Sequence, residues 1–193
     1  MLKSKRARAG AVVASGVLAS TFGIAALTGG TATEAFGASA PIGGTCQGQV
    51  QGTITSDVVV AHHTGWWPIS HLSDGLTTAY DQGTGLPTGR HQEQGIKITM
   101  AAGPEVISLI NAEINNENLK TCAFHFYRAS ATGVLQEYFR INLTNAKVVS
   151  YSLTGSPTGG TAATFVLIPQ HIERTWVPNG RTSADDWAVG TVG

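Results

Sequence analysis

Apolar and polar residues alternate through the segment Ile96–Trp176, which commits this part of the chain to β structure. Within Thr121–Arg128, for example, apolar side chains alternate with His125 and Tyr127, so the two sets fall on opposite faces of one strand. A tight turn is predicted at Thr144-Asn145. The other strands predicted from this spacing are Ile96–Met100, Leu135–Leu143, Ala146–Leu153 and Thr164–Trp176.

One helix is predicted inside this β-rich segment. It begins at Gly103-Pro104, because proline suits the first position of a helix, and it ends at Asn115. Ile107, Ile110 and Ile114 recur at helical spacing and predict its buried face. With 24 glycines and only 12% charged residues, the composition is typical of turn-rich β structure rather than a helical bundle. The sequence therefore predicts a mainly β domain with one helix on it.

The first 40 residues have the pattern of a secretory signal peptide. A basic start, Met1–Gly10, precedes the apolar run Ala11–Leu27 and a small-residue stretch that ends at Ala38-Ser39-Ala40. We therefore expect residues 1–40 to be cleaved and residues 41–193 to form a single secreted domain. A membrane anchor that stays attached is the alternative, because the apolar run is near the lower length limit for a span.

The net charge of zero depends on this first segment. Without residues 1–40, eight Lys and Arg remain against eleven Asp and Glu. Such a mildly acidic chain has no basic stripe, which argues against nucleic acid as a partner. We also expect no stable membrane insertion after cleavage.

The two cysteines are expected to form a disulfide. Cys46 and Cys122 are an even number of cysteines in a chain whose first residues predict export to an oxidising compartment. A bridge would close a loop of roughly 76 residues and add about 4 kcal/mol of stability from chain entropy. Two buried thiols are the alternative.

Residues between Cys46 and Gly95 show weaker patterns. Two short strands are predicted before Val60, with a turn near Asp57. The segment Gly65–Gly95 is rich in glycine and has no sustained periodicity, so we expect a long loop, which can contain a hairpin. The polar tail after Pro178 is expected to be weakly ordered unless a neighbour holds it.

No residue pattern indicates catalysis or a cofactor. His62, His63, His71 and Asp74 lie close in sequence, but adjacent histidines on a strand point to opposite faces. There is no Gly-x-Ser-x-Gly motif and no Gly-rich phosphate loop followed by a helix and a lysine. We therefore expect no metal, no cofactor and no enzymatic activity.

Aromatic residues and one histidine are the candidates for a contact surface. Adjacent Trp66 and Trp67 on a strand would place one ring in the core and the other outside. Exposed tryptophan more often anchors a protein interface than a ligand. The expected subunit-interface residues are Trp66, Trp67, Tyr80, His125 and Trp187.

The order of these segments resembles the haemolysin-coregulated protein (Hcp) family, the tube protein of type VI secretion systems. The resemblance begins loosely near Val58 and rests on the order of the pieces rather than on any single motif. The segments that carry it are Ile96–Met100, Gly103-Pro104, Val106–Ile110, Leu119–Ala129, Tyr138–Leu143, Val148–Ser152 and Ile172–Trp176.

The resemblance implies a small antiparallel β-barrel with a flanking helix. Members of the family form hexameric rings that stack into hollow tubes. By position, Gly65–Gly95 corresponds to an extended loop that reaches an adjacent subunit or ring, and Pro104–Asn115 corresponds to the element that faces the ring lumen.

The predicted signal peptide departs from that family, whose tube proteins assemble in the cytoplasm without one. The resulting hypothesis is an exported structural protein whose main partner is itself, assembling into rings, a tube or an extracellular filament. The alternative is a monomeric secreted module that binds a cell-wall glycan through Trp66, Trp67 and the long loop.

Overall fold

Strands make up most of the described chain, which in this computed structural model comprises residues 41–157 and 160–186. The predicted signal peptide, residues 1–40, lies outside these residues. The helix is α1 (Pro104–Ile114), and a 3₁₀ turn spans Val177–Asn179. The strands are β1 (Ile42–Gly48), β2 (Thr53–Ile54), β3 (Val59–Val60), β4 (His63–Thr64), β5 (Trp67–Ser73), β6 (Leu76–Tyr80), β7 (Pro87–Glu93), β8 (Ile96–Ala101), β9 (Leu119–Ala129), β10 (Leu135–Ser156), β11 (Gly160–Ile168), β12 (His171–Trp176) and β13 (Arg181–Asp186).

The main sheet closes on itself through antiparallel pairing. Its strand order is β11-β8-β5-β1-β9-β10-β12-β13, and β10 also pairs with β11. Six strands are therefore joined in a ring of hydrogen-bonded neighbours: β11, β8, β5, β1, β9 and β10. This arrangement confirms the predicted mainly β, barrel-like fold with one helix, and closure leaves few free edges to attract other chains.

The turn predicted at Thr144-Asn145 is wrong, because β10 runs continuously through these residues. The chain passes through this point without reversing, and Asn145 has a positive φ of 51°. Before the bend, β10 pairs with β9, and from Lys147 onward it pairs with β11. Asparagine tolerates the left-handed region better than most residues. Here it bends one long strand that serves both neighbours.

The segment 65–95 is more ordered than the predicted long loop. Its first part is β5, which pairs with β1 and β8 in the main sheet. Its second part is a hairpin of β6 and β7. The sequence allowed a hairpin here, but its strands have almost no buried face, so alternation did not locate them.

The end of the chain also differs from the prediction. The single strand predicted over Thr164–Trp176 is divided into β11 and β12 around Pro169-Gln170. Proline has no N–H to donate and interrupts the ladder there. Residues 181–186 of the tail form β13, which is held by pairing with β12 along its whole length, and residues 187–193 lie outside the described residues.

Helix α1 forms where the sequence predicts but buries a different face. Its buried apolar residues are Val106, Leu109 and Ala112. Ile107 and Ile114, expected in the core, are 61% and 74% exposed. Apolar residues surround more than one side of this helix, so spacing alone could not select the face. The small side chain of Ala112 allows close contact with the barrel.

The expected disulfide between Cys46 and Cys122 is present and joins β1 directly to β9. The two residues are register partners, with their Cα atoms 4.1 Å apart. Both side chains are buried in the core cluster with Phe124 and Leu143. The bridge therefore ties the first strand of the barrel to its centre.

We predict that the double substitution Cys46→Ala/Cys122→Ala lowers the free energy of unfolding by about 2–4 kcal/mol, because it releases a large loop in the unfolded chain. Urea denaturation followed by tryptophan fluorescence measures the change. Reduction of the unsubstituted protein should have the same effect. An unchanged midpoint in both experiments would contradict a stabilising role for the bridge.

Candidate assembly surface

The hairpin of β6 and β7, residues 76–93, forms an exposed arm. Both of its strands are exposed along nearly their whole length. A two-stranded hairpin without a third strand or a helix against it is marginally stable in water. The arm therefore depends on what holds its base and on what covers its sides.

One guanidinium holds the base of the arm. Arg174 on β12 donates Nη2–H to Asp74 Oδ1 at 2.7 Å and to Glu93 Oε2 at 2.7 Å, and its Nη1 donates to Glu93 Oε1 at 3.1 Å. Hydrogen bonding with Asp74, and then with Glu93, raises the pKa of Arg174 above its ordinary value despite its burial. His91 Nε2 also lies 2.8 Å from Asp185 Oδ2 on β13. Polar contacts thus fix the arm to the body.

The tip of the arm, residues 80–86, combines two apolar side chains with one carboxylate. Tyr80 and Leu86 are each 63% exposed. Asp81 accepts hydrogen bonds from the Thr84 backbone N–H at 2.7 Å and from its hydroxyl at 2.8 Å. These bonds lower the pKa of Asp81, with the hydroxyl bond the larger cause. The tip therefore presents two apolar side chains and one negative charge that is held by hydrogen bonds to Thr84.

The two adjacent tryptophans lie on opposite sides of the barrel wall, as their spacing predicts. Trp67 is fully buried and donates its indole N–H to the Ile54 carbonyl at 2.9 Å. It was expected at a subunit interface, and the structure corrects this, because a core side chain cannot contact a neighbour. Trp66 lies outside, stacked on His63 with ring centroids 4.2 Å apart.

Trp66 belongs to an outer cluster with His63, His125 and Tyr127. His125 meets the Trp66 ring edge to face at 4.6 Å. Trp66 packs closely on β1, since a Cβ on Gly43 would lie only 3.1 Å from the Trp66 ring. Trp66 is therefore half-buried, with His63 stacked on its ring and His125 packed against it. The glycan-binding alternative is not favoured by this arrangement.

Burial governs the electrostatics of the outer cluster. It lowers the pKa of His125 to about 4, although the neighbouring Glu137 acts in the opposite direction. His125 Nδ1 lies 3.2 Å from Glu137 Oε1. Glu137 also accepts two hydrogen bonds from Arg140, at 2.7 and 2.9 Å. These hold the pKa of Glu137 below its ordinary value even though burial raises it.

The remaining sequence candidates have mixed outcomes. Tyr80 is exposed on the arm, while Trp187 lies outside the described residues. Asp74, weighed as a metal ligand with the nearby histidines, is instead bound by Arg174. The described part of the chain contains no group of three or more side chains suited to a metal ion. Within residues 41–157 and 160–186, no helical segment has the length and hydropathy of a membrane span.

Sequence reasoning missed the clamp formed by Arg174, Asp74 and Glu93. The partners lie 100 and 81 residues from Arg174 along the chain. The one available signal was an arginine within a strand of a chain with few charges. Such an arginine indicates a buried ion pair, but the sequence does not identify which carboxylates bind it.

We predict that Arg174→Ala releases the arm but leaves the barrel folded. Amide hydrogen exchange of residues 76–93 should rise by roughly tenfold or more, since partly buried carboxylates lose their partner. Arg174→Lys keeps the charge but not the planar fork and should give an intermediate rise. Unchanged exchange in the alanine variant would show that other contacts hold the arm.

We also predict that stability declines in mild acid because of His125. The unfolded chain binds a proton near pH 6.5, whereas the folded chain resists it until about pH 4. The unfolded state therefore holds more protons in this window, and the free energy of unfolding falls as pH falls from 6.5 to 4. Denaturation of His125→Gln should show a shallower pH dependence, and equal slopes would contradict this assignment.

Comparison with known proteins agrees with this fold. The sequence model of the family described as "Type VI secretion system effector, Hcp" matches residues 45–175. A crystal structure of an Hcp protein superposes with a TM-score of 0.73 at 20% identity, covering 79% of this chain and 100% of that one. No curated protein sequence matches the chain.

Two further solved structures are similar. A double mutant of Hcp1 from the E. coli EAEC 042 pathovar has a TM-score of 0.71 at 21% identity, covering 77% of this chain and 99% of that one. The secreted protein Hcp3 from Pseudomonas aeruginosa has a TM-score of 0.64 at 18% identity, with coverage of 77% and 99%. Since the family match spans more than half of the sequence and the barrel agrees with it, the chain belongs to the Hcp family of tube-forming structural proteins of type VI secretion.

Proposed function

We propose that the mature chain is an exported structural protein that assembles into hexameric rings, and that these rings stack into a tube or filament outside the cell. The observation that carries the proposal is the arm, residues 76–93. It is exposed along nearly its whole length, and Arg174 holds its base. A second copy of the chain would cover it.

Physical reasons favour a second copy of this chain as the partner. Leu76, Tyr80 and Leu86 leave apolar surface on an arm whose own two strands cannot bury it. A contact between an arm and a different surface of the next copy is head to tail. Such contacts form closed rings or open stacks, depending on the rotation between copies.

The disulfide supports export. Disulfides persist in oxidising compartments and are rare in the cytosol. Cys46 and Cys122 are paired, and the described residues contain no free cysteine. Together with the signal-like pattern of residues 1–40, this favours folding after export over assembly in the cytoplasm.

We assign the protein a structural role without catalysis. Its family membership and the absence of a nucleophile–base pattern in the sequence support this assignment. The exposed Ile107 and Ile114 on α1 add apolar surface that a ring contact or the ring lumen would use.

Negative-stain electron microscopy of the secreted, oxidised chain tests the proposal. We expect rings and stacks of rings. A variant in which a short Gly-Ser turn replaces residues 77–92, keeping Asp74 and Glu93, should retain the disulfide-linked barrel but form no stacks. Dispersed single particles of the unsubstituted chain at every concentration would refute self-assembly. Stacks of normal length from the armless variant would show that the arm is not the contact.

A further inference from the structure

The segment Val59–Thr64 lies on the outside of the barrel and is not part of the main sheet. Its two strands, β3 and β4, pair with each other, and among the described strands they have no other partner. Val60 and Ala61 are buried in a small cluster with Tyr127 that is separate from the barrel core. We call residues 59–64 the flap. Side-chain packing, rather than strand pairing, therefore holds the flap on the barrel.

The turn of the flap has a strained backbone. A two-residue hairpin turn of the favoured type needs a positive φ at both central positions, which asparagine and glycine normally occupy. In the flap these positions are Ala61, with a φ of 47°, and His62, with a φ of 72°. Both residues have a Cβ, which disfavours the left-handed region. Such strain persists only where the surrounding structure holds it, so the closed flap depends on its packing.

The flap meets the barrel at the outer cluster. His63 on β4 stacks on Trp66, and its ring lies edge to face with the His125 ring at 6.1 Å. The His125 side chain is only 12% exposed. Among the described residues, two buried polar atoms of this cluster have no hydrogen-bond partner, namely His125 Nδ1 and the Tyr127 hydroxyl oxygen. This contact is therefore poorly suited to a charged imidazolium.

The charged groups around His125 act in opposite directions. Glu137 Oε1 lies 3.2 Å from His125 Nδ1 and favours a proton there, whereas Arg140 and His63 oppose it. Arg140 donates two hydrogen bonds to Glu137, at 2.7 and 2.9 Å, and also interacts with Glu173 on β12. Since Glu137 is already bound by Arg140, it only partly compensates a charge on His125.

Burial has a larger effect on His125 than any of these charges and lowers its pKa to about 4. The other neighbours of His125 contribute no charge near neutral pH. Burial raises the pKa of Tyr127 to about 12, so its hydroxyl stays neutral. On β1, the register partner of His125 is Gly43, which has no side chain. The flap is part of what buries His125, so flap position and protonation are coupled.

We propose that the flap closes over His125 at neutral pH and opens in mild acid, when protonation of this histidine disfavours the closed packing. An open flap lets water reach the imidazolium and relieves the strain of the turn. The open state binds the proton more tightly than the closed state, so acid shifts the population toward it. The shift occurs between pH 6.5 and pH 4, the ordinary and the lowered pKa of His125. It does not depend on self-assembly.

Amide hydrogen exchange of the oxidised, full-length secreted protein at pH 7 and pH 5 tests the proposal. After correction for intrinsic exchange rates, protection of the flap amides should fall by roughly tenfold or more at pH 5. Dilute urea should leave flap protection unchanged but lower that of β8, because a local opening exposes little surface. His125→Gln should abolish the pH response. His71→Gln, the same change at an exposed histidine of β5, is the matched control and should retain it.

A second variant, His62→Gly, tests the strain separately. Glycine adopts a positive φ without steric cost, so flap protection should rise several-fold at both pH values. The response to pH should remain, since His125 is still present. Unchanged protection in this variant would contradict the strain of the turn. Loss of its pH response would assign the titration to His62 and overturn the role of His125.

Three other results would overturn the proposal. The first is equal flap protection at pH 7 and pH 5 in the unsubstituted protein. The second is an unchanged pH response in His125→Gln. The third is flap protection that matches that of β8 and falls with it in urea, because the flap would then open only when the whole domain unfolds.

Discussion

The architecture depends on the continuous pairing of β10. This 22-residue strand bonds to β9 and β12 in its first part and to β11 in its second. It therefore closes the barrel and carries the β12–β13 extension at the same time. Arg174 on β12 and Asp185 on β13 contact the arm through their side chains. Neither strand pairs with the arm, so β10 positions the arm indirectly, through the strands that it holds. Loss of β10 pairing would affect the barrel and the assembly surface together.

Sequence alternation predicted the fold where one strand face is buried and the other exposed. The segment around Phe124 satisfied this condition, and its strand was located correctly. Alternation failed at Asn145, where a local turn preference competed with pairing on both sides of one long strand. It did not locate β6 and β7, whose strands have almost no buried face, although the sequence allowed a hairpin there. Helical spacing likewise misassigned the buried face of α1, where Ile107 and Ile114 are exposed.

The assembly surface was less predictable than the fold because its contacts are distant in sequence. His125 was expected at a sheet surface, and it lies in the outer cluster against Trp66. Adjacent tryptophans correctly predicted one inner and one outer ring, but the spacing could not identify Trp67 as the inner one. The clamp on Arg174 joins residues from several parts of the chain. Such groups become visible only when the register of the barrel is known.

The measurement that tests the central claim most directly is sedimentation equilibrium of the secreted, oxidised chain over a wide concentration range. If the protein is a self-assembling structural subunit, the data will show a defined oligomer and larger species that grow with concentration. A monomer mass at every concentration would contradict the account, whatever the similarity of the barrel to tube-forming relatives.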